Sequence, residues 1–403
     1  MNEKREYLYH FNPGHDMALA NGHATFIPPL AVQQMQRDLS LLPIWYATDK
    51  GTVLSEDIFA MDFIAKLSSV SPAFKSRDIR AICPTALPQI FQSSDSIWDI
   101  QPWGWDWAEK SYLRRCGIPD SFIPSNEQIE DIIHLSNRRT AVDLLPRLCI
   151  NDHYIGESYY YESISPCFQF VESHAACVFK APLSGSGKGL NWYRDGKYSS
   201  PFERWCHRQL SIQGGIVCEP IYNKMYDMAI EIQIDYSGKA SFLGYSFFNT
   251  TPTGVYRYNL LVPDSYCSNT SYMRNIRCEL IPHLLTEVET IYGGRYTGYI
   301  GVDIMICPDK TGQPTLIHPC VEINTRLTMG ILAHNIYSQY VSQEHQGEFH
   351  IDYYRKEDEA FAFNQDMQEK HPLETEGKYI SKGYLSLTPV YKNTHSHAWI
   401  IIE

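Results

Sequence analysis

The feature that most constrains this chain is the segment 299–330, in which apolar and polar residues alternate on both sides of a turn. Successive side chains of a strand point to opposite faces, so the apolar residues at 300, 302, 304 and 306 share one face and Asp303 takes the other. The run PDKTG, rich in residues that favour turns, separates this strand from a second alternating run. The segment therefore predicts a β-hairpin in which Asp303 lies roughly opposite Glu322.

One face of this hairpin would carry two carboxylates, the amide of Asn324 and the guanidinium of Arg326. Neighbouring carboxylates repel each other unless a cation lies between them. Hard oxygen ligands suit Mg²⁺, and an adjacent arginine can stabilise charge on a transferring phosphoryl group. The alternative is a solvated face whose acids pair with nearby lysines and arginines.

The order and spacing of these residues, Asp303 followed by the run VEINTR at 321–326, resembles the metal-binding end of ATP-grasp proteins. The resemblance implies that Asp303, Glu322 and Asn324 hold Mg²⁺, with Mn²⁺ as an alternative ion, against ATP. It also implies that Arg326 is a catalytic residue that stabilises the transferring group.

A glycine-rich loop lies upstream, where the strand ending in Lys180 runs into the sequence APLSGSGKGL. Glycine lets a backbone approach a phosphate closely and turn its N–H groups towards it. A Walker A loop is excluded because a proline replaces its first glycine and Gly189 replaces its Ser or Thr. The loop resembles the ATP-grasp flap, which implies that Lys180 contacts the α and β phosphates and Lys188 caps the outer ones. The resemblance thus implies that Lys188 is a catalytic residue and that Ser184, Gly185, Ser186 and Gly187 are cofactor-binding residues of the loop.

Three further elements occupy positions expected from the family. Glu219, at the end of a strand, resembles the hinge acid of the family. The resemblance implies that Glu219 accepts a hydrogen bond from the adenine amino group and that the backbone at Ile221 hydrogen-bonds a nitrogen of the adenine ring. Arg138 or Arg139 resembles the basic residue at a helix start that reaches the phosphates, although the family more often has Asp-Lys there; two solvated arginines are the alternative. Glu231, on an alternating strand, is the candidate for a ribose or phosphate contact.

The N-terminal segment is typical of an open α/β sheet, with a strand at 7–11, the polar turn NPGHD and a helical run. Ligands of such sheets collect at the carboxyl ends of the strands, where Asn12, His15 and Asp16 would lie, and Asn12 and Asp16 are candidate substrate contacts. The alternative is that Asn12 forms the turn and Asp16 caps the helix. Arg257 and Asn259 are candidates for a substrate carboxylate, because arginine offers a bidentate fork. The run IWYA at 44–47 predicts a second strand.

Composition narrows the class of protein. The net charge of −12 argues against a general nucleic-acid surface. An odd number of cysteines, 11, without a C-x-x-C pair argues against structural zinc and a disulfide framework. No apolar run is long enough for a signal core or a membrane span. We expect a cytoplasmic protein with small-molecule carboxylate and nucleophile substrates, without nucleic-acid or membrane partners, and compatible with a homo-oligomer.

Together these features predict an α/β protein with α+β lobes: an ATP-grasp fold preceded by an N-terminal Rossmann-like domain. The predicted parts are an N-terminal α/β domain at 1–125, a small flap lobe with its leading helix at 126–218, and a large lobe at 219–403 that carries the metal site and a C-terminal strand pair. The resemblance implies an ATP-dependent carbon–nitrogen ligase that activates a carboxylate as an acyl phosphate for attack by an amine or another nucleophile. A small-molecule kinase of ATP-grasp type and a non-catalytic nucleotide-binding regulator are the alternatives.

Overall fold

The structure is a computed structural model that describes residues 5–93, 96–185, 189–194, 199–251 and 254–403. It divides into two compact units. The first unit is built from Met1–Ile129, Arg257–Tyr266 and Leu327–Glu403, and the second from Glu130–Tyr256 and Cys267–Arg326. The predicted division into an N-terminal domain at 1–125 and two lobes at 126–218 and 219–403 stays a prediction.

The strands are, in chain order, β1 (Arg5–His10), β2 (Thr52–Leu54), β3 (Arg80–Ile82), β4 (Ile97–Pro102), β5 (Tyr159–Tyr161), β6 (Cys177–Lys180), β7 (Leu190–Tyr193), β8 (Ile216–Pro220), β9 (Tyr226–Ile234), β10 (Ala240–Thr250), β11 (Tyr256–Leu261), β12 (Gly298–Pro308), β13 (Pro314–Asn324), β14 (Gly347–Tyr353), β15 (Glu374–Glu376), β16 (Tyr379–Ser386) and β17 (Ser396–Ile402).

The helices are α1 (His15–Asn21), α2 (Leu30–Asp38), α3 (Ala60–Val70), α4 (Pro72–Lys75), α5 (Leu87–Ser93), α6 (Trp107–Arg115), α7 (Asn126–Leu135), α8 (Arg138–Leu148), α9 (Ile164–Ser173), α10 (Ser200–Gln213), α11 (Ser271–Asn275), α12 (Ile281–Tyr292), α13 (Met329–Tyr340) and α14 (Glu359–Lys370). Within the described ranges, no helix combines the length and the apolar character that crossing a membrane requires.

The first unit contains the parallel sheet that the N-terminal sequence predicts. Its strand order is β3-β2-β1-β4, and each neighbouring pair is parallel. Because β1 pairs with β2 on one side and with β4 on the other, the strand order reverses beside β1. Such a switch point leaves a crevice at the carboxyl ends of the two strands, where open α/β sheets bind ligands.

The predicted second strand at 44–47 is wrong. These residues belong to a short 3₁₀ helix, Leu42–Trp45, whose members are all buried. A short apolar run fits a buried strand and a buried helical turn equally well, and Pro43 in the first turn favours the helical start. The second strand of the sheet is instead β2, and Trp45 donates its indole N–H to the carbonyl of Leu387 at 2.7 Å.

The first unit also contains antiparallel strands in the order β11-β14-β17-β16-β15. The predicted C-terminal strand pair is confirmed, since β16 and β17 pair antiparallel with Gly383 opposite Ile402. The segment 344–378, in which the sequence predicts no element, supplies β14, α14 and β15.

The second unit holds two antiparallel sheets, each with its own core. The smaller sheet has the order β5-β8-β6-β7 and packs against α9 and α10 through aromatic and cysteine side chains. In the larger sheet, β13, β12, β9 and β10 are neighbours in that order. Its buried isoleucine face packs against α12. This packing leaves the opposite face of β12 and β13 to carry polar residues.

Candidate nucleotide and metal site

The register of the central hairpin is confirmed. β12 and β13 pair antiparallel with Asp303 opposite Glu322 and Gly301 opposite Asn324. The apolar residues at 300, 302, 304 and 306 are all buried in the core of the second unit, as their spacing predicts. A register shift follows Asp303, so the ladder is irregular next to the paired acids. The alternation of the sequence therefore places the two carboxylates side by side.

Hydrogen bonds connect the polar side chains of this hairpin. The amide of Asn324 donates to Asp303 Oδ2 at 3.3 Å, and Arg326 donates to Asn324 Oδ1 at 3.1 Å. Glu322 Oε1 accepts from Arg138 Nη2 at 2.6 Å. We call Asp303, Glu322 and Asn324 the acidic cluster: the strand register places the two acids opposite each other, and Arg326 and Arg138 are hydrogen-bonded to the cluster.

Burial, followed by the negative charge of Glu322, raises the pKa of Asp303 to about 8, although Arg326 and the Asn324 hydrogen bond act in the opposite direction. A carboxyl held in this state needs an additional positive charge to ionise at neutral pH. Two carboxylates and an amide oxygen are the hard donors that Mg²⁺ prefers. The donors present here therefore fit a divalent cation. In the described part of the chain, no group of three or more His, Cys, Asp or Glu side chains could hold a metal ion. The acidic cluster has two such side chains, and its third donor would be the amide oxygen of Asn324.

Arg138 is the buried member of the predicted arginine pair. Its guanidinium donates to Ala181 O at 2.6 Å and to Ser184 Oγ at 2.7 Å, in addition to Glu322. Arg139 is exposed and pairs with Glu162 at 3.0 Å. Arg138, the first residue of α8, therefore connects the base of the glycine-rich loop to the acidic cluster.

A second charged pair joins the other predicted nucleotide contacts. Lys180 Nζ lies 2.6 Å from Glu219 Oε2, and both side chains are buried. Ser158 donates to the second oxygen of Glu219 at 2.9 Å, and Lys180 also donates to Val321 O at 3.2 Å. Buried charges are costly unless they are paired, and each of these two groups pairs the other. The N–H of Ile221 donates to Ala176 O at 3.1 Å, so its carbonyl is the backbone group that it can offer a ligand.

The remaining loop and strand residues lie in the same unit. Gly189 closes the base of the loop, since its carbonyl accepts from the N–H of Ala181 at 2.8 Å. Ser184 and Gly185 belong to this base, whereas the predicted contacts Ser186, Gly187 and Lys188 lie outside the described residues. Glu231 is buried on β9.

The four predicted substrate residues lie in the first unit. Asn12 exchanges two hydrogen bonds with the backbone of Gly104, at 2.8 and 3.2 Å, and so fixes the chain after β1. Asp16 lies in the first turn of α1, whose N-cap is Gly14 and lacks a side-chain cap bond. Arg257 is exposed and Asn259 is buried, both on β11. Substrate binding by these residues stays a prediction.

Sequence reasoning missed two residues beside Lys180 and Glu219. One is Ser158, the hydrogen-bond donor to Glu219. The other is His318, which is 1% exposed and whose pKa burial lowers to about 4. Both are far from Glu219 along the chain, and neither a lone Ser in the segment before β5 nor a lone His on β13 carries a local signal.

Neither a protein-family model nor a curated protein sequence matches this chain. Solved structures do match it across its full length. The N5-carboxyaminoimidazole synthetase from Staphylococcus aureus, complexed with ADP, has a TM-score of 0.50 at 11% identity, with 100% of this chain and 94% of that chain covered. Biotin carboxylase from Campylobacter jejuni, in a β,γ-ATP complex, has a TM-score of 0.53 at 12% identity, with 100% and 88% covered.

A third match is the biotin carboxylase domain dimer of Hydrogenobacter thermophilus 2-oxoglutarate carboxylase, with MgADP, ADP and bicarbonate. Its TM-score is 0.52 at 12% identity, with 100% of this chain and 87% of that chain covered. At this level of identity the likeness concerns the fold. Together with the hairpin motif and its confirmed register, the three matches show that the chain has the ATP-grasp fold.

Proposed function

We propose that this protein is an ATP-dependent ligase that activates a carboxylate as an acyl phosphate, which an amine or another nucleophile then attacks. The observation that carries the proposal is the acidic cluster, in which Asp303 and Glu322 face each other with Asn324 beside them. The nucleotide complexes of the structurally similar proteins support the ATP part of the proposal.

Asp303, Glu322 and Asn324 would hold Mg²⁺, or Mn²⁺, next to the phosphates. The ion, when bound, supplies positive charge that neutralises the phosphates and lets Asp303 ionise. Arg326, already hydrogen-bonded to Asn324, would place its guanidinium at the rim of this cluster. There it would stabilise charge on the transferring phosphoryl group.

Two ion pairs suggest how the site would change when ATP binds. Glu219 neutralises Lys180, both buried, and half-buried Glu322 neutralises buried Arg138. Phosphates would draw Lys180 and Arg138 towards themselves, because they are strong anionic acceptors. Each carboxylate would then be released for its own role: Glu219 for the adenine amino group and Glu322 for the cation.

The other nucleotide contacts follow from the same arrangement. Glu231 would bind ribose or phosphate, and the backbone at Ile221 would read the adenine ring. The glycine-rich loop would cover the phosphates, with Ser184 and Gly185 at its base and Lys188 as the catalytic cation of its tip.

The proposed reaction has two steps. A carboxylate oxygen attacks the γ-phosphorus of ATP, the bond from that phosphorus to the β–γ bridging oxygen breaks, and ADP leaves. The nucleophile then attacks the acyl carbon, the bond to phosphate breaks, and the nucleophile's proton passes to solvent. The protein contributes positioning and electrostatic stabilisation.

The test is ADP release by the purified protein with Mg²⁺, ATP and a matrix of carboxylates and amines. Added hydroxylamine would trap an acyl phosphate as a hydroxamate. We expect ADP, phosphate and a hydroxamate with the wild type, and none above background with Glu322→Gln. Glu172→Gln, which removes an exposed acid on α9, is the matched control and should retain activity.

Two results would replace this proposal by its alternatives. With alcohols in place of the carboxylates, a phosphorylated alcohol formed together with ADP and without an amine would indicate a small-molecule kinase. ATP binding without ADP release across the whole matrix would indicate a nucleotide-binding regulator.

A further inference from the structure

The chain leaves the larger sheet between two residues of the candidate site. β13 ends at Asn324, which pairs with Gly301 of β12, and Arg326 follows beyond the last pair of this ladder. Within a sheet, the ladder of hydrogen bonds holds the backbone of each strand in place. This support ends at Asn324, so a contact outside the β12–β13 ladder has to fix the direction in which Arg326 points.

The alternation of buried and half-buried side chains nevertheless continues past the end of β13. Ile323 and Thr325 are buried, whereas Asn324 and Arg326 are half-buried. Successive side chains of an extended chain point to opposite sides, so Thr325 lies on the core side between its two functional neighbours. The hydrogen bond from Arg326 to Asn324 Oδ1, at 3.1 Å, spans Thr325. A contact that fixes Thr325 therefore also fixes how its neighbours are oriented.

Two helix ends hold the side chain of Thr325. Its hydroxyl oxygen lies 3.3 Å from the hydroxyl oxygen of Tyr292, the last residue of α12, and 3.4 Å from the carbonyl oxygen of Leu135, the last residue of α7. The hydroxyl of Tyr292 also lies 3.3 Å from the carbonyl oxygen of Leu135. We call these three groups, the hydroxyls of Thr325 and Tyr292 and the carbonyl of Leu135, the hydroxyl triangle.

The hydroxyl triangle satisfies all of its members. Tyr292 is completely buried and Thr325 is 3% exposed, so both hydroxyls need partners within the protein. Each hydroxyl has one proton, and one of them donates to the carbonyl of Leu135 while the other donates to the first hydroxyl. The carbonyl groups in the last turn of a helix have no partner within that helix. The triangle thus joins the ends of α7 and α12 to the chain segment between Asn324 and Arg326.

Packing alone does not require these hydroxyl groups. Leu135, Tyr292 and Ile323 belong to the apolar core of the larger sheet, where a phenylalanine at 292 and a valine at 325 would have nearly the same shape. A buried hydroxyl is favourable only when it is hydrogen-bonded, and its net contribution to stability is then small. What hydrogen bonds add to apolar contacts is a preferred angle as well as a distance. The hydroxyl triangle therefore supplies orientation at the point where the ladder ends.

We propose that Thr325 is a positioning residue, whose hydrogen bonds to Tyr292 and Leu135 hold Asn324 towards the cation and Arg326 towards the phosphates. Groups behind a metal ligand orient that ligand, and their loss weakens metal binding although every ligand is still present. The proposal rests on the proposed function, because it assigns Thr325 to the same cation site. It adds a contribution from the core side of the hairpin, opposite the acidic cluster.

The experiment measures the Kd of the full-length protein for ATP by calorimetry, once with Mg²⁺ and once with a chelator, and the ratio of the two values reports the metal-dependent part of binding. Thr325→Val keeps the shape of the side chain but removes its hydroxyl. We expect it to lower this ratio about threefold to tenfold, the factor that one hydrogen bond supplies. The Kd with the chelator should stay at the wild-type value. Thr325→Ser restores the hydroxyl and should restore the ratio.

Two further variants separate positioning from a general loss of stability. Tyr292→Phe opens the hydroxyl triangle from the other side and should also lower the ratio, so it carries the test should Thr325→Val fail to fold. Tyr154→Phe is the matched control, because it removes another hydroxyl of the same core that donates to a helix carbonyl, that of Asn275 at 3.2 Å. It should lower the free energy of urea unfolding and leave the ratio unchanged.

The possible failures are distinguishable. A wild-type ratio in Tyr292→Phe and in folded Thr325→Val, an equal loss in Thr325→Ser, or an equal loss in Tyr154→Phe would overturn this inference and leave the proposed function intact. Equal affinity of the wild type with Mg²⁺ and with the chelator would refute the cation site of the proposed function, and the role of Thr325 with it.

Discussion

Replacing Asp303 by asparagine should make the protein more stable, by an amount that increases with pH. Burial and Glu322 hold the pKa of this carboxyl at about 8, against an ordinary value of 3.8. Between these values the folded protein keeps a proton that the unfolded chain releases, so wild-type stability falls by about 1.4 kcal/mol per pH unit. Asparagine does not titrate, and its side-chain oxygen can still accept from Asn324.

The magnitude follows from the same pKa difference. The stability contributed by the protonated carboxyl is fully present below pH 3.8 and is lost as the pH rises through about 8. The advantage of Asp303→Asn should therefore reach a plateau on the order of 5 kcal/mol above pH 8. Other titrating groups are common to both proteins and cancel in the difference.

The assay is denaturant unfolding of both proteins at several pH values between about 5 and about 9, with a chelator present and no nucleotide. Asp309→Asn, at the turn of the same hairpin, is the control. Hydrogen bonds from Thr311 and the neighbouring backbone lower the pKa of Asp309 to about 2. The stability that the ionised Asp309 carboxylate contributes is therefore fully present above pH 3.8 and is lost only as the pH falls towards about 2. The effect of Asp309→Asn should thus be flat over this range. If the difference in unfolding free energy between Asp303→Asn and the wild type were also independent of pH, the reasoning would be refuted.

Three further predictions concern the other parts of the site. Arg138→Lys keeps the charge but loses the multiple hydrogen bonds to Ala181, Ser184 and Glu322, so the Kd for ATP should rise about tenfold in calorimetry; an unchanged Kd would contradict this role. Glu219→Gln leaves Lys180 buried without its counter-charge and should lower the free energy of urea unfolding by about 3–5 kcal/mol, part of which ATP restores. If ATP restored none of this stability, Lys180 would not be a phosphate contact. Gly104→Ala should cost about 1–3 kcal/mol in unfolding free energy, because the new methyl group would lie 2.5 Å from the His15 ring. An unchanged free energy of urea unfolding would contradict this close packing.

The central hairpin was predictable because strand alternation and a short turn together fix the register. Asp303 meets Glu322 because a slip by one residue would turn the buried isoleucine face towards water. The Asp106 N-cap before α6 was predictable for a similar local reason, since the capping bond spans three residues.

What the sequence left open depends on contacts between residues distant along the chain. The Lys180–Glu219 pair and the His15–Asp106 pair have no local pattern, and burial decides both. The run at 44–47 was misassigned because complete burial removes the alternation that distinguishes a strand from a helical turn. The strands β14 and β15 are largely exposed or half-buried, so their sequences lack an apolar face that would reveal them.

The most direct test of the account is isothermal titration of ATP into the wild type, with Mg²⁺ and then with a chelator. We expect binding that depends on the metal and that weakens at least about tenfold in Asp303→Asn and Glu322→Gln but not in Glu172→Gln. Equal affinity with and without the metal, in all four proteins, would contradict the assignment of the acidic cluster as the site of the cation.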